Sequence, residues 1–134
     1  MAAEIFPWHP LLVPWPLGFL TAGLIADLAM SFEPRARRWL SPASSALLWG
    51  GTAGLWAAVA LGFGSVLDTA PALFGASLTE HRFLALWASG LFTGLSYWRW
   101  ASARRASALF SIAWLASTAT LWAAAWKGFG LGHP

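Results

Sequence analysis

The stretch WHPLLVPWPLGFLTAGLIADLA, which runs from Trp8 to Ala29, has the length and the apolar character of a membrane-spanning helix. A helix needs about 20 mainly apolar residues to cross the hydrocarbon core of a bilayer. Two ionisable residues interrupt the stretch, His9 near its beginning and Asp27 near its end. Ionisable groups inside a span are costly and by default indicate function, so both residues need an explanation.

The composition of the whole chain is also typical of a membrane protein. Of its 134 residues, 58% are hydrophobic and only 10% are charged, whereas about 25% are charged in typical soluble domains. A chain of this length has too small an interior to bury so much apolar surface, so the bilayer must be its solvent. The net charge of +3 comes from a few basic residues between apolar runs, and without a basic stripe it does not indicate nucleic-acid binding. The absence of cysteine excludes thiol chemistry and Cys-ligated metal sites in this chain.

Four apolar segments predict an all-α membrane protein with one domain, residues 1–134, and four transmembrane helices in an up-down bundle. The predicted spans cover about residues 11–32, 45–67, 82–98 and 106–126. Six arginines follow the first and third spans, and two basic residues lie on the other side: Arg35, Arg37, Arg38, Arg99, Arg104 and Arg105 against Arg82 and Lys127. Because basic residues accumulate in cytoplasmic loops, this distribution predicts a multi-pass protein of a bacterial inner membrane with both termini in the periplasm.

This topology brings several polar residues to the outer, periplasmic side. His9 begins the first span, Asp68 ends the second and His81 begins the third. An ion pair between Arg82 and Asp68 is the structural alternative to a functional role for Asp68. A helix N-terminus disfavours added positive charge, so it favours the neutral imidazole that binds metals. We therefore expect His9 and His81 to approach one another and to define the functional site.

Asp27 lies near the cytoplasmic end of the first span. We expect its side chain to face the bundle interior, because a carboxylate that faces lipid costs about 2.5–3.5 kcal/mol at a helix centre and less near an end. The candidate partners are an arginine, Arg104 or Arg105, and hydroxyl groups of neighbouring spans.

Most of the eleven tryptophans are expected to form an interfacial belt at the ends of the spans. A minority lie at mid-span, where they can pack on lipid, on a neighbouring subunit or on a flat cofactor: Trp56, Trp87 and Trp114.

The opening stretch resembles a bacterial membrane family known only as a domain of unknown function. Its members begin with a His-Pro pair, as at His9, have a further Pro a few residues later, and carry an Asp near the end of the first span, as at Asp27. The later stretch GFGSVLDTAPALFGASLTEHRFLALW is similar too, with a Gly-rich span that ends in Asp68 and with His81 opening the next span. The chain departs from the family at Pro14, where many members have an aromatic residue or His. Some members are fused to Rieske iron–sulfur or cytochrome c domains, which implies a place near electron transport.

Three functions remain open from the sequence. In the first, His9 and His81, at one depth on parallel and diagonal helices, bind heme b on the outer side and the protein transfers electrons. In the second, His9, His81 and Asp68 hold a non-heme divalent metal ion such as iron, zinc or copper. In the third, the chain is an accessory subunit of a larger respiratory or photosynthetic membrane complex, with its tryptophans against protein, lipid or a bacteriochlorophyll-type pigment. No independent catalytic activity is expected, and the expected partners are the bilayer and a redox partner or such a complex.

Overall fold

The computed structural model describes residues 11–67, 75–102 and 107–131, and it describes side chains for residues 11–63, 78–102 and 107–130. These parts of the chain contain no strand; they contain one 3-10 turn, Pro34–Ala36, and four α-helices: α1 (Pro14–Phe32), α2 (Arg37–Leu67), α3 (Gly75–Ala101) and α4 (Ala108–Leu131). The prediction of an all-α four-helix membrane protein is confirmed.

Two helices begin earlier than the apolar runs indicate. The structure starts α2 at Arg37 rather than near Ser45, because the 3-10 turn leads directly into the helix and the helix continues through polar residues. Ser44, which precedes the apolar run, is buried and its Oγ donates to the Gly23 backbone oxygen over 3.3 Å. Likewise α3 starts at Gly75 rather than near residue 82. Hydropathy marks the apolar part of a helix, whereas its ends follow from backbone hydrogen bonding and interhelical contacts.

Three segments of the described chain are long and apolar enough to cross a membrane: Pro14–Phe32, Pro34–Phe63 and Ala108–Gly130. The remaining helix, α3, is 27 residues long, which corresponds to about 40 Å at 1.5 Å per residue. Its polar side chains include Ser89, Ser96 and Arg99, all of which are buried, while its exposed face carries aromatic residues such as Phe83 and Trp87. The lower hydropathy of α3 thus comes in part from groups that face the interior of the bundle.

The helices form a ring in chain order. The most extensive contacts join α1 to α2 and α3 to α4, and smaller contacts between α2 and α3 and between α4 and α1 close the ring. Consequently α1 and α3 lie diagonally across the bundle, as the up-down topology predicts. We call one end the arginine end, where α1 ends and α2 begins, and the other the histidine end, where α3 begins and α4 ends.

The interior is filled by large apolar side chains and by glycines that allow close packing. The buried cluster consists of Leu20, Leu24, Leu48, Leu55, Ala88, Phe92, Leu95, Phe110, Trp114 and Leu121. A Cβ at Gly51 would lie 2.5 Å from Leu20 Cγ, so only glycine lets α2 approach α1 this closely. Of the three mid-span tryptophans, Trp114 is buried, and Trp56 and Trp87 are exposed.

Candidate functional sites at the two ends of the bundle

The imidazole of His81 packs against α4 at the histidine end. The helix begins at Gly75, so His81 lies in its second turn, whereas the sequence predicts that His81 opens the helix. His81 Nδ1 lies 2.8 Å from the backbone oxygen of Ala124. A carbonyl oxygen only accepts hydrogen bonds, so Nδ1 carries a proton and donates. In the neutral ring, Nε2 is then the nitrogen with the lone pair.

Gly128 makes room for this ring. A Cβ at position 128 would lie 2.7 Å from His81 Cε1 and 3.0 Å from His81 Nδ1. Ala124 and Gly128 are four residues apart, so they lie on one face of α4. Their backbone therefore fixes both the position and the rotation of the His81 imidazole.

Charged side chains flank His81 on both sides in sequence. Glu80 accepts a hydrogen bond from Lys127 Nζ over 2.8 Å, and both side chains are about half exposed. The Arg82 guanidinium carbon lies 4.7 Å from the centre of the Phe63 ring, a cation–π contact with α2. Asp68, the predicted partner of Arg82, lies outside the described residues.

The antiparallel pairing of α1 and α4 places the His81 contact relative to α1. At the arginine end, Ser111 Oγ donates to Asp27. Nearer the middle, Trp114 Nε1 donates to the Leu20 backbone oxygen over 3.1 Å. The start of α1 therefore lies beside the end of α4, against which His81 packs. The His81 contact thus belongs to the end of the bundle at which α1 begins.

Two members of the predicted outer site, His9 and Asp68, lie outside the described residues. Within residues whose side chains the structure describes, no group of three or more His, Cys, Asp or Glu side chains could hold a metal ion. His81 is therefore the member of this site whose geometry is defined.

A second polar cluster, made of Asp27, Arg99 and Ser111, lies inside the arginine end. We call it the Asp27 cluster. The Asp27 side chain is 0% exposed and that of Arg99 is 2% exposed. Arg99 Nη2 donates to Asp27 Oδ1, and Ser111 Oγ donates to Asp27 Oδ2 over 2.7 Å. Because the three residues belong to α1, α3 and α4, the cluster connects three of the four helices.

The observed partners of Asp27 are Arg99 and Ser111. The interior position and the pairing with an arginine and a hydroxyl agree with the expectation, but the arginine is Arg99; Arg104 and Arg105 lie outside the described residues. The apolar run of the third span ends at Trp98 and predicts a loop position for Arg99; in the structure α3 continues to Ala101 and the Arg99 side chain is buried. Because Arg99 is buried inside the bundle, it does not count among the flanking basic residues that determine orientation, and their distribution becomes five to two.

The signal that identifies Arg99 is the periodicity of α3. Phe92, Leu95, Ser96 and Arg99 are all buried, and their spacing of three, four and seven residues places them on one face of a helix. Extending this apolar face by one turn would have predicted a buried arginine.

Aromatic rings surround the guanidinium of Arg99. Its Cζ lies 4.3 Å from the centre of the Phe110 ring and 5.7 Å from that of Trp114. The Nε and Nη1 atoms have no hydrogen-bond partner within the part of the chain that the structure describes. The Asp27 cluster has no net charge and contains no strong nucleophile, so its evident capacity is to hold helices together rather than to react.

Comparison with known proteins agrees with these observations. The family model described as "Predicted membrane protein (DUF2231)" matches residues 5–132. The match includes all four helices and confirms the resemblance found in the sequence. No curated protein and no solved structure matches the chain.

Proposed function

The chain belongs to the DUF2231 family of predicted membrane proteins, and on this premise we propose that it binds heme b at its histidine end and transfers electrons. His81 of α3 would hold the heme together with His9, which precedes α1 in the sequence and lies outside the described residues. The observation that carries the proposal is the hydrogen bond from His81 Nδ1 to the backbone oxygen of Ala124.

This hydrogen bond supports ligation because it determines which ring nitrogen carries the proton and which could bind a metal. Metal-bound histidines commonly donate their other N–H to a carboxylate or a backbone carbonyl, which fixes the tautomer and raises the basicity of the ligating nitrogen. In His81, Nε2 is the nitrogen that would bind a metal. The acceptor belongs to the backbone of α4 and the ring rests on Gly128, so the imidazole is held before any ligand binds.

The diagonal placement of α1 and α3 favours heme over a single metal ion. Cofactor sites in helix bundles are built from side chains on facing helices, and a flat ring between α1 and α3 would be flanked by the other two helices. The residues of this chain would bind and orient the ring and would keep water from its faces. Heme supplies one-electron chemistry, and ligation by two histidines leaves no open coordination position, which favours electron transfer over oxygen chemistry.

The proposal includes an orientation in a bacterial inner membrane. Five basic residues lie at the arginine end: Arg35, Arg37 and Arg38 belong to the 3-10 turn and the start of α2, and Arg104 and Arg105 follow α3 in the sequence. Basic residues that flank membrane spans accumulate on the cytoplasmic side. The histidine end and both termini would then face the periplasm. A periplasmic electron carrier is accordingly the expected redox partner.

The absorption spectrum of the purified protein tests this function. We expect a Soret band in protein produced with a heme precursor, or after addition of hemin to the colourless protein. His81→Ala should abolish this band without loss of helix content. Glu80→Gln is the matched control, because it removes the neighbouring ion pair with Lys127 and leaves the imidazole in place.

Other outcomes would lead to different functions. Heme at full occupancy in His81→Ala would place the cofactor elsewhere, most directly near the mid-span tryptophans. A protein that takes up no hemin but contains a metal ion that is lost in His81→Ala would support the non-heme site of His9, His81 and Asp68. A near-infrared band would indicate a bacteriochlorophyll-type pigment. A protein without hemin uptake, metal or pigment would leave the role of an accessory subunit.

A further inference from the structure

We propose that the 3-10 turn and the beginning of α2 bind the headgroup of an anionic phospholipid. The site consists of Arg35, Arg37, Arg38 and Trp39, which we call the arginine segment. All four side chains are exposed. The proposal is independent of heme binding, because it concerns the opposite end of the bundle.

The three arginines have no carboxylate partner among the described residues. The ion pairs among the described residues join Arg99 to Asp27 and Lys127 to Glu80. The neighbouring Glu33 caps the 3-10 turn instead, since its Oε1 accepts a hydrogen bond of 3.2 Å from the backbone N–H of Arg35. Even with Glu33 counted, residues 33–39 contain three arginines and one glutamate and keep a net charge of +2.

Exposed aromatic side chains lie close to these cations in the sequence. Trp39 is 75% exposed and Phe32, at the end of α1, is 86% exposed. The Arg38 guanidinium carbon lies 5.9 Å from the centre of the Trp39 ring. Aromatic rings next to arginines at a helix end are typical of the boundary between headgroups and acyl chains, where the side chains of tryptophan and arginine are both favourably placed.

This combination fits a phospholipid better than a soluble phosphate compound. Guanidinium groups bind phosphate oxygens through paired hydrogen bonds, and the exposed rings can contact the glycerol and the first acyl carbons. A soluble phosphate would use the arginines alone. The net positive charge also selects anionic lipids over zwitterionic ones, by about fivefold for each basic residue close to the surface.

Native mass spectrometry of the detergent-solubilised protein tests the proposal, with phosphatidylglycerol and phosphatidylcholine as competing probes. We expect the wild-type protein to retain phosphatidylglycerol with at least about a tenfold preference. The triple variant Arg35→Gln, Arg37→Gln, Arg38→Gln should lose most of this preference. Since the three side chains are exposed, the variant should fold. Should it not be produced, Arg38→Gln alone is expected to lower the preference about fivefold.

The matched control removes the same kind of charge from the histidine end. Arg82→Gln combined with Lys127→Gln should leave the preference for phosphatidylglycerol unchanged. Trp39→Ala should weaken retention of the lipid, and glycerol phosphate at the same concentration should not displace it. An unaltered preference in the arginine variants would overturn the proposal, and so would an equal loss in the control. Displacement by glycerol phosphate would assign the site to soluble phosphate compounds instead.

Discussion

Replacing Asp27 by Asn tests the role of the Asp27 cluster most directly. Asparagine has the shape of aspartate and still offers an acceptor to Arg99, so the change removes a charge and leaves the packing intact. Arg99 then remains as a buried cation, 2% exposed, with Nε and Nη1 already lacking partners among the described residues. Removing one partner of a buried ion pair destabilises soluble proteins by about 3–5 kcal/mol.

The membrane setting modifies this magnitude in two ways. Neutral hydrogen bonds between transmembrane helices contribute only about 0.6 kcal/mol on average, but the group left behind here is charged. Arg99 also lies two residues before the end of α3, so its long side chain can reach toward the headgroups and recover part of the loss. We therefore expect Asp27→Asn to lower the free energy of unfolding by about 3 kcal/mol, the lower end of the range for buried pairs.

The assay is reversible unfolding in mixed micelles, followed by circular dichroism. The double variant Asp27→Asn, Arg99→Gln replaces the ion pair by two neutral amides and should recover most of the lost stability, which gives a double-mutant cycle with a large coupling energy. Glu80→Gln breaks the half-exposed pair with Lys127 and should change stability by less than about 1 kcal/mol. If Asp27→Asn were as stable as the wild-type protein, or if the double variant were worse than either single one, the account of the cluster would be refuted.

Two further predictions concern packing and orientation. Gly23→Ala should destabilise the protein by about 1–3 kcal/mol, because the new Cβ would lie 2.8 Å from the buried ring of Trp114. Gly18→Ala is the control, because a Cβ at position 18 would have no neighbouring atom within 4 Å. The thermal unfolding of both variants is compared with that of the wild-type protein. Single cysteines at Ala36 and Ser77 should react differently with a membrane-impermeant thiol reagent in intact cells, with labelling at position 77 and protection at position 36. The reverse labelling pattern would contradict the proposed orientation.

The positions of the polar residues could be predicted from the sequence more reliably than their partners. The interior position of Asp27 followed from the energetic penalty for a carboxylate in lipid. The position of His81 at the end of the bundle where α1 begins followed from the order of the spans. The partner Arg99 did not follow, because apolar runs do not show where α3 ends. The contact of His81 with Ala124 and Gly128 depends on the rotation of α4 about its own axis, which a uniformly apolar helix does not encode in its hydropathy.

The stronger pairing of α1 with α2 and of α3 with α4 has a consequence for biosynthesis. The protein consists of two helical hairpins, and Asp27 and Arg99 belong to different hairpins, 72 residues apart. Chains are made from the N-terminus, so the first hairpin reaches the membrane with an unpaired carboxylate while its partner is still to be translated. The charge is neutralised only when the second hairpin docks. We expect a first hairpin made without the second to be poorly retained in the bilayer, because only the complete bundle can form the Asp27–Arg99 ion pair.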